Sequence, residues 1–150
     1  MRGLDVFRDE EFLHAQCEFA TAQHWAPNCA TFSRALEIPI PGVRFPPQPK
    51  RSDEFPEGLP KMLSHEIHGP RILNDTKMAH LAAKMSLSAH RAGKLFSLEH
   101  TGNSIALKLS SWIELMNQPG VIVDYYHGCM FEPGDHLVVE VSKPKRVTLI

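Results

Sequence analysis

The distribution of proline is the strongest constraint on how this chain can fold. Of its 12 prolines, nine lie between Pro27 and Pro70, and seven of those lie between Pro39 and Pro60. Proline has no amide hydrogen and restricts the residue before it. The run IPIPGVRFPPQPKRSDEFPEGLP is thereby excluded from helix interiors and central strands. It predicts a long, semi-rigid loop at about 39–60, the least ordered internal segment, between a short first part and a larger second one.

Around that loop the patterning is ordinary. The 150 residues fit a single domain, residues 1–150, and the 43% apolar and 22% charged shares are close to average globular usage. No apolar run approaches the ~18–20 residues a membrane span needs. The opening MRGLDVFRDEEF is charged where an export signal would be apolar. A soluble, intracellular domain is expected. Phe7–Gln16 reads as a short helix and Glu18–Trp25 as a buried strand. Met78, Leu81, Ala82, Met85 and Ala89 follow helical spacing, with Asn74 or Asp75 as N-cap and Gly93 as the stop. Lys94–Glu99 suits an internal strand, and Ile105–Met116 returns to the helical period. VIVDYYHGCMF, HLVVEV and RVTLI read as extended. Alternation of this kind predicts an α/β layer with a largely parallel sheet.

Chemistry-bearing residues are few. Cys17, Cys29 and Cys129 form no CxxC pair, so neither a zinc knuckle nor a dithiol motif is supported. HEIH (His65–His68) is not HExxH, and Gly69-Pro70 is expected to end any helix there, so no metal is expected. The formal net charge is -1, with local basic excess only at Arg44, Lys50 and Arg51, and at Lys143, Lys145 and Arg146. No GxGxxG turn is present. Cys29 follows the strand ending at Trp25, where ligands collect in open α/β sheets; Glu99 ends the next strand. Two parallel strands joined by one helix would put both on a single edge. The competing readings are a packed turn cysteine and a strand-end acid facing water.

These residues carry a resemblance. PNCATFS, Pro27–Ser33, resembles the PPCQ-plus-FS motif of C5-type DNA cytosine methyltransferases, whose cysteine attacks C6 of a flipped cytosine. SLEHT is similar to that family's Glu-Asn-Val segment, whose glutamate contacts the ring nitrogen and exocyclic amine. KPKRVTLI resembles the Gln-x-Arg-x-Arg segment and the strand after it. Asn28 stands where the family has its second proline, Ala30 where it has glutamine, and His100-Thr101 where it has Asn-Val.

The resemblance implies a partial Rossmann-like, methyltransferase-type three-layer fold with a short, mostly parallel sheet. It implies Cys29 and Glu99 as catalytic residues, with Phe32, Ser33, Arg34, Lys145 and Arg146 on the substrate side. Phe32 and Ser33 would lie on a loop closing over the base. The family's glycine-containing turn for S-adenosylmethionine lies upstream of the cysteine and has no counterpart here. The methyl donor is therefore expected only if a missing N-terminal half or a partner chain supplies its site. The expected function is a divergent or incomplete C5 cytosine methyltransferase-like domain, inactive alone, of mobile-element origin, with DNA as partner. Two alternatives remain open: a non-catalytic nucleic-acid-binding or interaction module, and another thiol-dependent enzyme using Cys29.

Overall fold

The computed structural model describes residues 10–38, 41–44, 48–127 and 135–141. Helix α1 (Glu10–Phe19) leads into strand β1 (Ala22–Trp25), and a long connection then reaches the short helix α2 (Pro60–Leu63). Helix α3 (His68–Arg91) returns the chain to β2 (Leu95–His100). Helix α4 (Ser110–Met116) precedes β3 (Val121–His127) and β4 (Asp135–Val141). The architecture is mixed α/β. No helix among the described residues is long and apolar enough to cross a membrane.

The sheet order is β1-β2-β4-β3. β1 pairs parallel with β2, Ala22 opposite Leu95 and Trp25 opposite Leu98. β4 runs antiparallel to both β2 and β3. Three strands thus point one way and β4 lies against them. The expected mostly parallel sheet is corrected to a mixed one with a single parallel ladder. Connection length is the cause. A parallel return needs a crossover of roughly a dozen residues or more, and only positions 128–134 separate β3 from β4. The 24-residue α3, by contrast, is ample for the parallel return from β1 to β2.

β2 is buried over Phe96–Leu98 and at His100. Phe96, Leu98 and His100 are buried with α3 and α4, whereas Leu95 is 37% exposed on the opposite face. Phe32, Leu109, Trp112 and Leu115 complete that core, and each fully buried large apolar side chain there contributes about 1.5–3 kcal/mol. The buried stripe of α3 includes Ala79, Ala82, Ala83 and Ala89, small residues that let the helix lie close to the strands. The Trp112 indole N–H donates to Ala79 O at 3.0 Å, so burying this ring leaves no donor unpaired. Ala22, His24, Leu95, Ile122 and Asp124 are exposed on the other face. Among the described residues the fold therefore has two layers, not the expected three.

Several boundaries move for local reasons. α3 begins at His68 rather than after Asn74, because a proline in the first helical turn forfeits no intrahelical bond; Gly69-Pro70 opens the helix instead of ending one. Gly69 is required there, since a Cβ would come 2.2 Å from Leu63 O of α2. At the other end Gly93 (φ 69°) stops the helix as expected. Its amide reaches His90 O and that of Lys94 reaches Ala89 O, the paired bonds of a Schellman motif. The expected strand from Glu18 shrinks to Ala22–Trp25, because α1 runs on to Phe19. Ile105–Met116 breaks at Leu109 into a 3-10 turn (Ile105–Lys108) and α4. Of the three extended runs near the end, RVTLI lies outside the described residues.

Candidate functional site

Because β1 and β2 are neighbours and parallel, their C-terminal ends lie on one edge. The turn carrying Cys29 leaves one end and Glu99 lies near the other. The turn is tight. Phe32 N donates to Cys29 O at 2.9 Å, and Asn28 Oδ1 accepts from Ala30 N at 3.1 Å. Phe32 is fully buried, its ring 5.8 Å from that of His100, and its carbonyl accepts from Ile105 N at 3.1 Å. The turn after β1 is in this way stitched to the segment after β2. Cys29 itself is a free, half-buried thiol.

What fixes this turn is a buried polar cluster. Asp75, 6% exposed on α3, accepts from Thr31 Oγ1 at 2.6 Å and from Asn28 Nδ2 at 3.1 Å. Arg51, 1% exposed, donates from Nε to Thr31 O (3.1 Å), and from Nη2 to Thr31 Oγ1 (2.9 Å) and Ile72 O (3.0 Å). Its Nη1 reaches Pro56 O (2.8 Å) and Thr76 Oγ1 (2.9 Å), and its carbon centre lies 3.7 Å from the Phe32 ring centroid. Burial pulls the guanidinium down to about 10, against the attraction of Asp75 and then Glu57. It stays charged at neutral pH. The Thr31 hydroxyl donates to the acid while accepting from the base, so it relays one buried charge to the other.

The proline-rich segment is accordingly not uniform. Residues 41–44 are exposed, whereas Arg51 is sealed in and Leu59 N donates to Lys50 O at 2.9 Å. The expectation that all of 39–60 is the least ordered internal segment is corrected for its second half: a buried cation has to be matched by acceptors, and Arg51 finds them on α3 and in the Cys29 turn.

Glu99 is held differently. His24, opposite Ser97 in the register, accepts or donates through Nδ1 at 2.8 Å from Ser97 Oγ. Its Nε2 is 3.8 Å from Glu99 Oε2, with 58% of the His24 side chain and 28% of the Glu99 side chain exposed. The next residue, His100, points into the core between Phe32 and Trp112. Burial pulls it down to about 4, and its Nε2 has no hydrogen-bond partner.

The remaining expected substrate residues are placed as follows. Phe32 is a core residue rather than part of an exposed closing loop. The Ser33 side chain caps the 3-10 turn Arg34–Glu37, accepting from Ala35 N at 3.2 Å. Arg34 bonds Asn103 O (3.1 Å), Glu37 and Asp53, and the bond to Asp53 raises its proton affinity further. Lys145 and Arg146 lie outside the described residues, as do Lys143 and Cys129. Thr31, Arg51 and Asp75 were not singled out by the sequence as site residues. The available signal was Asp75 within the stripe Ile72, Asp75, Thr76, Ala79, where an acid on a buried face demands a partner.

No group of three or more His, Cys, Asp or Glu side chains suited to a metal occurs among the described residues. His65 serves the backbone instead: its Nδ1 accepts from Ile67 N at 3.1 Å just before α3. None of the left-handed glycines (Gly42, Gly58, Gly93, Gly120) lies in a tight strand-to-helix turn, which a nucleotide-like group needs for close backbone approach. Two cavities are formed elsewhere. One of about 700 Å³ lies between α3 and α4, lined by Lys77, His80, Lys84 and Glu114 among others. The other, of about 180 Å³, lies beside Cys17 and Lys94. Neither is lined by Cys29 or Glu99. Compared with protein-family models, curated proteins and solved structures, the chain matches none.

Proposed function

We propose that the chain is a divergent C5 cytosine methyltransferase-like domain that presents a thiol and a carboxyl group to one cytosine base and does not transfer methyl groups by itself. One observation carries the reading. Neighbouring parallel strands bring the Cys29 turn and Glu99 to one sheet edge. The chemistry needs a soft nucleophile and an acid around a flipped base. The Cys29 thiol would give its proton to water as its sulfur forms a bond to C6. The C5–C6 π pair would move to C5, and Glu99 would hydrogen-bond the ring nitrogen, where charge builds up. Without a methyl donor, C5 takes a proton and the adduct reverses.

Two measurements on the whole chain test this. Labelled S-adenosylmethionine with cytosine-containing DNA should give no transfer above background. Single-stranded DNA carrying 5-azacytosine should give a denaturation-resistant adduct, because the displaced pair then rests on nitrogen. That adduct should disappear in Cys29→Ser and fall in Glu99→Gln. Absence of the adduct, while small alkylating agents still modify Cys29, would overturn the reading. So would label transfer that requires Cys29, since it would make the chain an active enzyme.

A further inference from the structure

In the turn after β1, the residues around Cys29 are fixed and the thiol is not. Asn28 is tied to Asp75, Ala30 to Asn28, and Thr31 to both Asp75 and Arg51, while Phe32 is packed under the Arg51 guanidinium. Five acceptors take up the five N–H donors of Arg51: Thr31 O, Thr31 Oγ1, Pro56 O, Thr76 Oγ1 and Ile72 O. They come from the Cys29 turn, the second half of the proline-rich segment and α3. We infer that Arg51 is a positioning residue for the Cys29 thiol, acting through Thr31 and Asp75. This rests on the proposed role of Cys29 as nucleophile.

Geometry gives the reason for arginine. A planar fork can serve acceptors on three segments at once, while a lysine ammonium presents three donors from one point. The Thr31 hydroxyl has a single proton, which it gives to Asp75, so the lone pairs facing Arg51 need a donor from outside. With the guanidinium removed, Thr31 loses one of its two anchors and the turn can reorient about Cys29. Because Arg51 belongs to the connection and not to a helix, docking of residues 48–59 and the shape of the thiol turn are one event.

The test compares alkylation of Cys29 by iodoacetamide with that of Cys17, the in-chain reference, which lies on α1 away from the cluster. Arg51→Ala should raise the Cys29/Cys17 rate ratio roughly tenfold, as local opening of the turn becomes easier. The same variant should lower the yield of the 5-azacytosine adduct by about 100-fold, the effect of misplacing a reacting group by an ångström. Millimolar guanidinium ion should restore both, whereas Arg51→Lys should restore neither. Should Arg51→Ala not fold, the exposed Asn28→Ala removes the bonds to Asp75 and from Ala30 N without opening the core and should raise the ratio several-fold while the chain stays folded. A ratio and an adduct yield that stay at wild-type values in these folded variants overturn the inference. A ratio that responds to Arg51 while wild type forms no adduct upholds the positioning role and removes the methyltransferase-like reading alone.

Discussion

The turn after β1 is fixed by groups that water does not reach, whereas the end of β2 is fixed by groups that it does. Around Cys29, Arg51 is 1% and Asp75 6% exposed, and Thr31 joins them. Around Glu99, the link runs through His24, whose side chain is 58% exposed. The two candidate residues share an edge but not a dielectric. Strong electrostatics inside the first cluster follow from exclusion of solvent, and so does a high cost for leaving any member unpaired. The second can be opened cheaply, because water replaces whatever is lost.

Removing one partner from the buried cluster should break the comparison most visibly. Asp75→Ala leaves Arg51 without its nearest opposite charge and strips an acceptor from both Thr31 and Asn28. A loss of about 3–5 kcal/mol is expected, the usual cost of orphaning a buried charge. Urea denaturation followed by Trp fluorescence measures it. A loss below about 1 kcal/mol would mean that water reaches the cluster, and the two regions would then differ in geometry alone.

How far the sequence reveals these regions follows from the range of the forces involved. Gly93 announces the end of α3 because a left-handed residue is a local requirement. The strand at Lys94–Glu99 is legible because apolar residues cluster within one window. The parallel pairing of β1 with β2 was also within reach, since a helix of sufficient length separates them. Arg51 was not. Read locally it is one of several cations in a proline-rich stretch, and only contacts at sequence separations of 20, 21 and 25 make it a core residue. The antiparallel insertion of β4 was likewise hidden, because strand order depends on which edges remain free after α3 and α4 have covered one face. Of the candidate site, the position of Cys29 beyond β1 and of Glu99 near the end of β2 was legible, but the groups that hold them were not.

His100 sharpens the contrast within a single strand, since it follows Glu99 yet faces the opposite side. Burial pulls it down to about 4, so the folded chain holds it neutral where the unfolded chain, with an ordinary value near 6.5, would protonate. The unfolded state therefore binds more protons between these values. Stability is fully present above about pH 6.5 and is lost as the pH falls towards 4, with a limit of roughly 3 kcal/mol. His100→Phe should remove this part of the slope in denaturation midpoints measured across that window. An unchanged slope would place the titration elsewhere and make His100 as accessible as Glu99.

The smallest effect is expected at His24, and its smallness is informative. Its ring, on β1, contacts both Ser97 and Glu99 of β2, a link that looks like the counterpart of Arg51 on the other side of the edge. The resemblance is only topological. With more than half of its side chain in water, the His24–Glu99 contact at 3.8 Å is worth no more than about 1 kcal/mol, and its charged form, when the ring is protonated, is screened by salt. Ser97 is itself buried, at 6% exposure, and would lose its partner in His24→Ala. Truncation, however, opens the path by which a water can take that place, so no orphaned hydroxyl remains. His24→Ala should thus shift the urea midpoint by less than a third of the Asp75→Ala shift. The residual difference should shrink further in 0.5 M salt if the remainder is electrostatic. A loss as large as that of Asp75→Ala, insensitive to salt, would show that His24 is shielded in solution. The open face of the sheet would then be covered in the native protein, and the contrast between the two ends of the site would disappear.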